Sequence, residues 1–219
     1  MRHILFTAVL ALASMMAIAQ ERIALPAPDK QVNMPLYQAL QQRHSVRAYQ
    51  NRTVSDATLA QVLWAACGYN RPEEKRITAA SAINAQDIEV YVVRPDGAYR
   101  YDVVANALVR VTNKDLRPLV AGRQTQVATA PVMLVLVSNQ THFAQIGDSA
   151  AGQRMGMLDA GYVSQNVYLS CTALGLGTVA RATMDTDALR QALGLDDHQL
   201  LLLNHPMGLE QTQHNCCKQ

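Results

Sequence analysis

One uninterrupted apolar run restricts the folds that are open to this chain of 219 residues. Positions 130–139 read APVMLVLVSN, in which β-branched and aliphatic side chains follow one another without polar alternation. Such a run is typical of a strand buried on both faces, because a strand with one wet face alternates apolar and polar residues. The sequence therefore predicts a central strand whose two faces are both covered.

Further strands are predicted on either side of this run. In DIEVYVVRPDGAYRYDVVANALVRV, residues 87–111, apolar positions alternate with Glu89 and Tyr91, which is typical of antiparallel strands. Asp96-Gly97 in its middle is a strong hairpin signal. LLLNHP, residues 201–206, predicts a last short strand.

Two helices are predicted before the strands. In NMPLYQALQQR, Asn33 can cap the helix and Pro35 suits its first turn. In SDATLAQVLWAACGYN, Ser55 can cap the helix and Gly68 can end it. The face expected to be buried on the first helix is formed by Leu36, Ala39 and Leu40.

A long helix is predicted from about Gly152 to Leu174. Its expected buried stripe consists of Met155, Leu158, Tyr162, Leu169 and Ala173. Its small residues, which would let another helix approach closely, are Ala160, Gly161, Ser164 and Ser170. The order of helices and strands predicts an α+β domain with a mostly antiparallel sheet flanked by helices.

The first residues have the pattern of a secretory signal peptide. Arg2 and His3 are followed by an apolar stretch and by Ala17-Ile18-Ala19, an A-x-A cleavage signal. The stretch is too short and wrongly flanked for a membrane anchor, so we expect export to the bacterial periplasm without stable membrane insertion. The predicted division is a signal peptide at 1–19, an exposed arm at 20–34, one domain at 35–209 and a polar tail at 210–219.

Charge and cysteine content exclude several classes. A formal net charge of +2, with no basic stripe interleaved with aromatics, argues against a nucleic-acid partner. Cys67 and Cys171 lie in apolar helical patterns and are expected to be core residues. Cys216-Cys217, with His214 nearby, could bind a metal, but no Cys-x-x-Cys partner completes the set and no metal site is predicted.

Two arginines and a serine alternate in the segment QQRHSVRAYQ, residues 41–50. On an extended backbone, Arg43, Ser45 and Arg47 turn to one side and Val46 to the other. Two guanidinium groups and a hydroxyl suit a bound phosphate or carboxylate. Two exposed arginines flanking a turn give the same pattern, and the spacing alone leaves both interpretations open.

A glycine-rich loop follows the long helix. The stretch GLGTVA, Gly175 to Ala180, matches the G-x-G-x-x-A pattern of dinucleotide-binding folds. Those folds need a strand before the first glycine, and here a helix precedes it. Gly175 is better interpreted as the C-terminal glycine of that helix.

Three segments, in this order, resemble the nitroreductase family of FMN-dependent oxidoreductases. RHSVRAY resembles its Arg-[Arg/His]-Ser-x-[Arg/Lys]-x-[Phe/Tyr] opening, and SAINAQ resembles its P-S-S-x-N-x-Q-P loop. YVSQNVYLSCTALGLGTV resembles its central helix and the glycine-rich turn after it. LAQVLWAACGYNR and DGAYRYD are similar to the branch named SagB-type oxidoreductases.

The resemblance implies an α+β nitroreductase-like fold that is homodimeric, with FMN at the interface. Arg43 and Ser45 would bind the FMN phosphate with His44 beside them, and Arg47 would lie near the pyrimidine end of the ring. In TVARATMD, the amides of Ala182 and Thr183 would face flavin N5 and O4. The other residues implied in the cofactor site are Ser81, Ala82, Asn84, Gly175 and Gly177.

The resemblance also implies an activity. Hydride would pass from a reduced small-molecule donor of the nicotinamide type, through the flavin, to an electron-poor acceptor such as a nitroaromatic or a quinone, with no catalytic side chain required. Nicotinamide donors are scarce outside the cytoplasm, so a non-catalytic flavin- or ligand-binding protein on the same scaffold stays open. A SagB-like dehydrogenase of peptide heterocycles stays open as well.

Two departures from the family pattern concern the cofactor. Asp87 stands where the family has proline after the glutamine of its loop, and the tail offers only Lys218 where relatives often carry a second basic pair. We therefore expect phosphate binding to depend heavily on Arg43.

Overall fold

The computed structural model describes residues 20–211, so the predicted signal peptide and the Cys216-Cys217 pair lie outside the described residues. The helices are α1 Leu36–Gln42, α2 Asp56–Cys67, α3 Arg117–Ala121, α4 Ser149–Ala173 and α5 Thr186–Leu193. The strands are β1 Arg22–Ala24, β2 Tyr69–Arg71, β3 Arg76–Ile77, β4 Ile88–Arg94, β5 Gly97–Asp102, β6 Ala107–Thr112, β7 Val132–Asn139, β8 Gly177–Thr178 and β9 Gln199–Gly208. In this part of the chain, no helix combines the length and apolarity needed to cross a membrane.

Seven strands form one sheet in the order β1-β6-β5-β4-β7-β9-β8, and every neighbouring pair in it is antiparallel. β2 and β3 form a separate small ribbon. The β4–β5 turn lies at the predicted Asp96-Gly97 hairpin, with Arg94 paired to Gly97. The predicted α+β fold with a mostly antiparallel sheet is confirmed.

The central position of β7 explains its unbroken apolar sequence. Leu134 and Leu136 pack into a core formed with α2 and α4, whereas Met133, Val135 and Val137 pack on the opposite face with α3 and α5. Successive side chains of a strand point to opposite faces, so both faces of β7 are covered. The prediction of a doubly buried strand is confirmed.

The predicted ends are confirmed for α2, whereas the predicted cap of α1 is wrong. In α2, Ser55 Oγ accepts a hydrogen bond from the Thr58 amide at 3.1 Å and Gly68 ends the helix, as predicted. In α1, Pro35 occupies the N-cap without a side-chain bond, because Asn33 lies two residues too early to cap. The predicted buried face is also wrong: of its three residues Ala39 alone is buried, and Leu36 and Leu40 are exposed.

The predicted buried stripe of α4 is wrong as well. Leu158 is 61% exposed and Tyr162 is 50% exposed, and the buried face consists mainly of small residues. The helix lies so close to the sheet that a Cβ on Gly156 would stand 2.3 Å from Ser138 Oγ. Small side chains therefore face inward and large ones outward. The residues of α4 that are buried are Gly152, Gly156, Asp159, Ala160, Val163, Ser164, Val167 and Cys171.

The segment predicted as an exposed arm is partly built into the sheet. Arg22–Ala24 forms the edge strand β1, which pairs antiparallel with β6. An Arg22–Asp102 ion pair at 2.9 Å and the burial of Leu25 attach it further. Three residues were too short a stretch to show a strand period in the sequence.

Candidate functional site

The cationic segment after α1 runs extended beside the strand that follows α4. Ser45 bridges to Thr178 in parallel, and the Val46 amide donates to the Thr178 carbonyl at 2.9 Å. Val46 is buried, and a Cβ on Gly177 would lie 2.6 Å from its side chain. Ser45 and Arg47 are exposed and Val46 is buried, as the spacing predicted for these three residues, whereas Arg43 is half-buried and His44 is exposed.

Tyr168 of α4 connects this segment to the next loop of the site. Its hydroxyl lies 3.0 Å from Ser45 Oγ and accepts a hydrogen bond from the Ala180 amide at 2.9 Å. The Arg43 guanidinium lies over its ring, 5.0 Å from the centroid, where a cation is attracted to the π face. One tyrosine thus contacts Arg43, Ser45 and the backbone before Arg181.

His44 has hydrogen-bond partners other than those of Arg43 and Ser45. Its Nε2 lies 3.1 Å from Glu210 Oε2 and its Nδ1 lies 2.9 Å from the Gln42 carbonyl. The hydrogen bond to Gln42, and then Glu210, raise the pKa of His44 above its ordinary value. His44 lines a small cavity of 170 Å³ together with Gly175 and Gly177, so the structure brings these three predicted residues together.

Gly175 ends α4 with a φ of +71°, and its amide donates to the Thr172 carbonyl. This conformation favours glycine and is typical of a helix C-terminus. The interpretation of Gly175 as a terminating glycine is confirmed, and a dinucleotide-binding loop is excluded here because a helix precedes it.

The loop after β8 presents backbone donors at the surface. Arg181 is only 6% exposed, and its backbone exchanges hydrogen bonds with Asn204 at 2.9 and 2.7 Å. Asn204 Nδ2 also donates to the Thr183 carbonyl at 3.1 Å. Within residues 20–211, Ala182 and Thr183 are exposed residues, and their amides have no hydrogen-bond acceptor.

A buried histidine of β9 contacts Thr178 of β8. His205 Nε2 lies 2.8 Å from Ser164 Oγ and Nδ1 lies 3.2 Å from Thr178 Oγ1. Complete burial lowers the pKa of His205 to about 3, so the ring is neutral at ordinary pH. Its ring also meets that of Tyr168 edge-on at 5.4 Å between centroids.

The predicted loop at 81–86 is held by a carboxylate of α4. Asp159 accepts hydrogen bonds from Ser81 Oγ at 2.8 Å and from the Ala82 amide at 2.9 and 3.0 Å. The loop continues through Ile83 and Asn84 at φ values of +48° and +58°, which non-glycine residues rarely adopt. Ile83 and Asn84 are exposed as a result.

Asp87, where the family pattern has proline, directly follows this loop in the chain and is fully buried. Ser138 Oγ donates to its Oδ2, and its Oδ1 has no hydrogen-bond partner in the described part of the chain. Burial raises the pKa of Asp87 to about 7, and the neighbouring Asp159 adds to the rise, although the Ser138 hydrogen bond opposes it. Asp87 is therefore largely protonated below neutral pH.

The structure does not bring the 81–86 loop to the cationic segment within one chain. The loop is attached to Asp159, whereas Ser45 is attached to Tyr168, nine residues further along α4. At 1.5 Å per residue, these two points are roughly 13 Å apart along the helix axis. Ser81, Ala82 and Asn84 thus lie apart from the other predicted site residues.

The sequence pattern that defines the nitroreductase family matches residues 40–209. The chain belongs to the nitroreductase family. Sequence similarity to a Methanocaldococcus jannaschii protein, provisionally named as a nitroreductase, is 31% identity over 198 residues, covering 86% of this chain and 97% of that protein.

Two further comparisons agree. A Ralstonia eutropha protein with the same provisional name has a crystal structure that matches with a TM-score of 0.82 and 32% identity, covering 88% of this chain and 90% of that one. An NADPH-dependent oxidoreductase of Staphylococcus saprophyticus is 25% identical over 183 residues, covering 82% of this chain and 66% of that protein.

Nitroreductase-family proteins are FMN-dependent flavoproteins, and this chain is accordingly an FMN-dependent oxidoreductase. Its residues fit the cofactor: Arg43 and Ser45 are suitable donors for a phosphate, and the amides of Ala182 and Thr183 lack acceptors among the described residues. Ser45 and Arg47 line an open cavity of 840 Å³, but Arg43, Ala182 and Thr183 are not among the residues that line it. The individual contacts of these residues with FMN stay predictions.

The sequence interpretation missed the residues that arrange this site. The sequence alone assigned no role to Tyr168, Asp159 or Arg181. Their roles depend on partners far away in the chain, which no local pattern records.

Proposed function

We propose that this nitroreductase-family protein is an exported enzyme that passes hydride from a reduced nicotinamide-type donor to an electron-poor acceptor such as a nitroaromatic or a quinone. The observation that carries the proposal is the link through Tyr168, which joins the anion-binding residues Arg43 and Ser45 to the loop with free amides. A donor of this type is suggested by the name of the Staphylococcus saprophyticus relative, an NADPH-dependent oxidoreductase.

Bound FMN supplies the hydride chemistry, so no protein acid or base is required. Arg43 and Ser45 would hold the phosphate, and Tyr168 would keep both in position. The amides of Ala182 and Thr183 would donate to the polar edge of the ring. Arg47, exposed on the same side of the extended segment as Ser45, would place positive charge near the ring.

We further propose that the active form is a homodimer. Large apolar side chains are exposed on α1 and on the outer face of α4, which is unusual for surfaces that stay in water. The 81–86 loop lies apart from the cationic segment in one chain, so a second copy packed on α4 could supply its own loop to complete the site. The exposed apolar residues concerned are Leu36, Tyr37, Leu40, Ile83, Met157, Leu158 and Tyr162.

The visible spectrum of the purified protein tests the cofactor assignment. We expect flavin absorption bands, either on isolation or after incubation with excess FMN and removal of unbound ligand. A protein that stays colourless after this treatment would overturn the proposed function.

Anaerobic titration tests the donor. We expect NADH or NADPH to bleach the flavin bands, and a nitroaromatic or quinone added afterwards to restore them. Flavin that is reduced by dithionite but by neither nicotinamide would instead support a flavin-binding protein without this turnover, the alternative that uses the same scaffold.

Expression with the native N-terminus in a bacterial host tests export. We expect the protein in the periplasmic fraction, with a mature N-terminus at Gln20 by mass spectrometry, as the A-x-A signal predicts. A full-length protein retained in the cytoplasm would refute the export proposal and leave the enzymatic one unaffected.

A further inference from the structure

Arg181 is a buried cation with a complete set of hydrogen bonds. Its Nε donates to Gln124 Oε1 at 2.9 Å, and Nη1 donates to the Val120 carbonyl at 3.2 Å and to Asn204 Oδ1 at 2.8 Å. Nη2 donates to the Ala121 carbonyl at 2.7 Å and to Thr183 Oγ1 at 3.2 Å. All five N–H groups of the guanidinium are therefore satisfied.

Every one of these acceptors is neutral. Across residues 20–211, the ion pairs include none that involves Arg181. Burial lowers the pKa of Arg181; Tyr49 opposes this effect, and the neighbouring cation Arg47 adds to it. An arginine stays protonated at ordinary pH, so the site holds a fixed, unbalanced positive charge.

A buried charge without a counter-ion is costly, and proteins usually pair it. The loop can be held in place without this cost. Asn204 already exchanges backbone hydrogen bonds with Arg181, and its side chain donates to the Thr183 carbonyl. The position of the charge is informative instead: Nη2 donates to the Thr183 hydroxyl at 3.2 Å, on the two-residue stretch Ala182–Thr183 whose amides have no acceptor within residues 20–211.

We propose that Arg181 is a positioning residue whose buried charge favours the reduced form of the flavin bound on this loop. The inference rests on the proposed flavin site. Reduction adds two electrons and one proton to the ring, so the ring gains one negative charge. A cation in a water-poor position stabilises that charge more strongly than an exposed one does. The charge of Arg181 therefore raises the reduction potential of the bound flavin.

This inference is tested with three variants, each of which lowers the net charge of the protein by one. Arg181→Gln removes the charge. Gln124→Glu keeps the guanidinium and its bonds but places a carboxylate at the Nε contact, which neutralises the charge locally. Arg123→Gln is the matched control, since Arg123 is exposed and its charge is screened by solvent.

The measurement is the dissociation constant of FMN in the oxidised and in the reduced state, together with the midpoint potential. We expect Arg181→Gln and Gln124→Glu to raise the ratio of reduced to oxidised dissociation constants about tenfold, which equals a potential lower by about 30 mV for two electrons. We expect the ratio of Arg123→Gln to equal that of the unaltered protein.

The outcomes separate the two proposals. If Arg181→Gln weakens both redox states equally and Gln124→Glu leaves the ratio unchanged, the arginine is a structural clamp and this inference is wrong, while the flavin site stands. Should Arg181→Gln fail to fold, Gln124→Glu decides alone, because it retains every hydrogen bond of the guanidinium. An unaltered protein that binds no FMN in either state refutes the proposed function itself.

Discussion

Replacement of the buried Asp87 by asparagine should stabilise the protein, and increasingly so as the pH rises. Asparagine has almost the same shape, its carbonyl oxygen can accept from Ser138, and its amide N–H can replace the carboxyl O–H. The substitution removes a group whose ionised form has one oxygen without a hydrogen-bond partner in the part of the chain that the structure describes. It also removes the repulsion between Asp87 and Asp159.

The expected magnitude follows from the shift in pKa. Burial and Asp159 raise the pKa of Asp87 from 3.8 to about 7. Three units at 1.36 kcal/mol each correspond to about 4 kcal/mol, as an upper value. The folded state keeps its proton to higher pH than the unfolded chain does, so the unaltered protein loses this stability as the pH rises from about 4 to 7.

The assay is urea unfolding of the Asp87→Asn variant and the unaltered protein at matched pH values from 4 to 8. We expect the difference in free energy of unfolding to be near zero at pH 4 and to reach about 2 to 4 kcal/mol at pH 8. Measuring a difference cancels His205, whose lowered pKa acts with the opposite sign: stability is lost as the pH falls through 6.5 towards about 3.

Asp115→Asn is the matched control. Burial acts to raise the pKa of Asp115, but its hydrogen bonds with Arg117 outweigh this effect and hold the pKa below the ordinary value. Its contribution is present at neutral pH and lost in acid, so this variant should be destabilised at pH 8. A difference for Asp87→Asn that does not change with pH would refute the assignment of a buried, protonated Asp87.

Three further predictions concern the site and its assembly. Arg43→Ala should raise the FMN dissociation constant at least about tenfold, the loss of one charge-assisted contact, with an unchanged circular dichroism spectrum; equal affinity would remove Arg43 from the site. Gly177→Ala should lower the free energy of unfolding by about 1 to 3 kcal/mol in urea titrations, because its Cβ would lie 2.6 Å from the Val46 side chain; an equally stable variant would show that the two segments separate easily. Leu158→Arg should yield a monomer, measured by light scattering, with weakened FMN binding, measured by fluorescence. The control Val104→Arg, at an exposed turn residue away from α4, should remain dimeric. A dimeric Leu158→Arg would argue against the α4 interface.

The sequence predicted the extended segment and the glycine-rich turn of the site, because both depend on local backbone geometry. An extended segment turns residues two apart to the same side, which placed Ser45 and Arg47 outward and Val46 inward. The glycine that ends α4 was predictable for a similar reason, since the left-handed conformation after a helix favours glycine.

The sequence by itself determined the elements whose residues carry their own periodicity. The apolar run of β7 required two covered faces, the Asp96-Gly97 turn required a hairpin, and Ser55 and Gly68 bounded α2. Each of these is set by neighbours within a few residues, where hydrogen-bond geometry and side-chain spacing are fixed by the backbone.

Only the tertiary structure decided which side of α4 faces the core and which polar groups are buried. Leu158 lies in water because the sheet approaches so closely that glycine and alanine must face it. Asp87 and Arg181 look like ordinary surface charges in the sequence, yet both are buried by elements distant in the chain. Burial and the partners it brings are sums over long-range contacts, so the electrostatics of this site emerge only once the chain has folded.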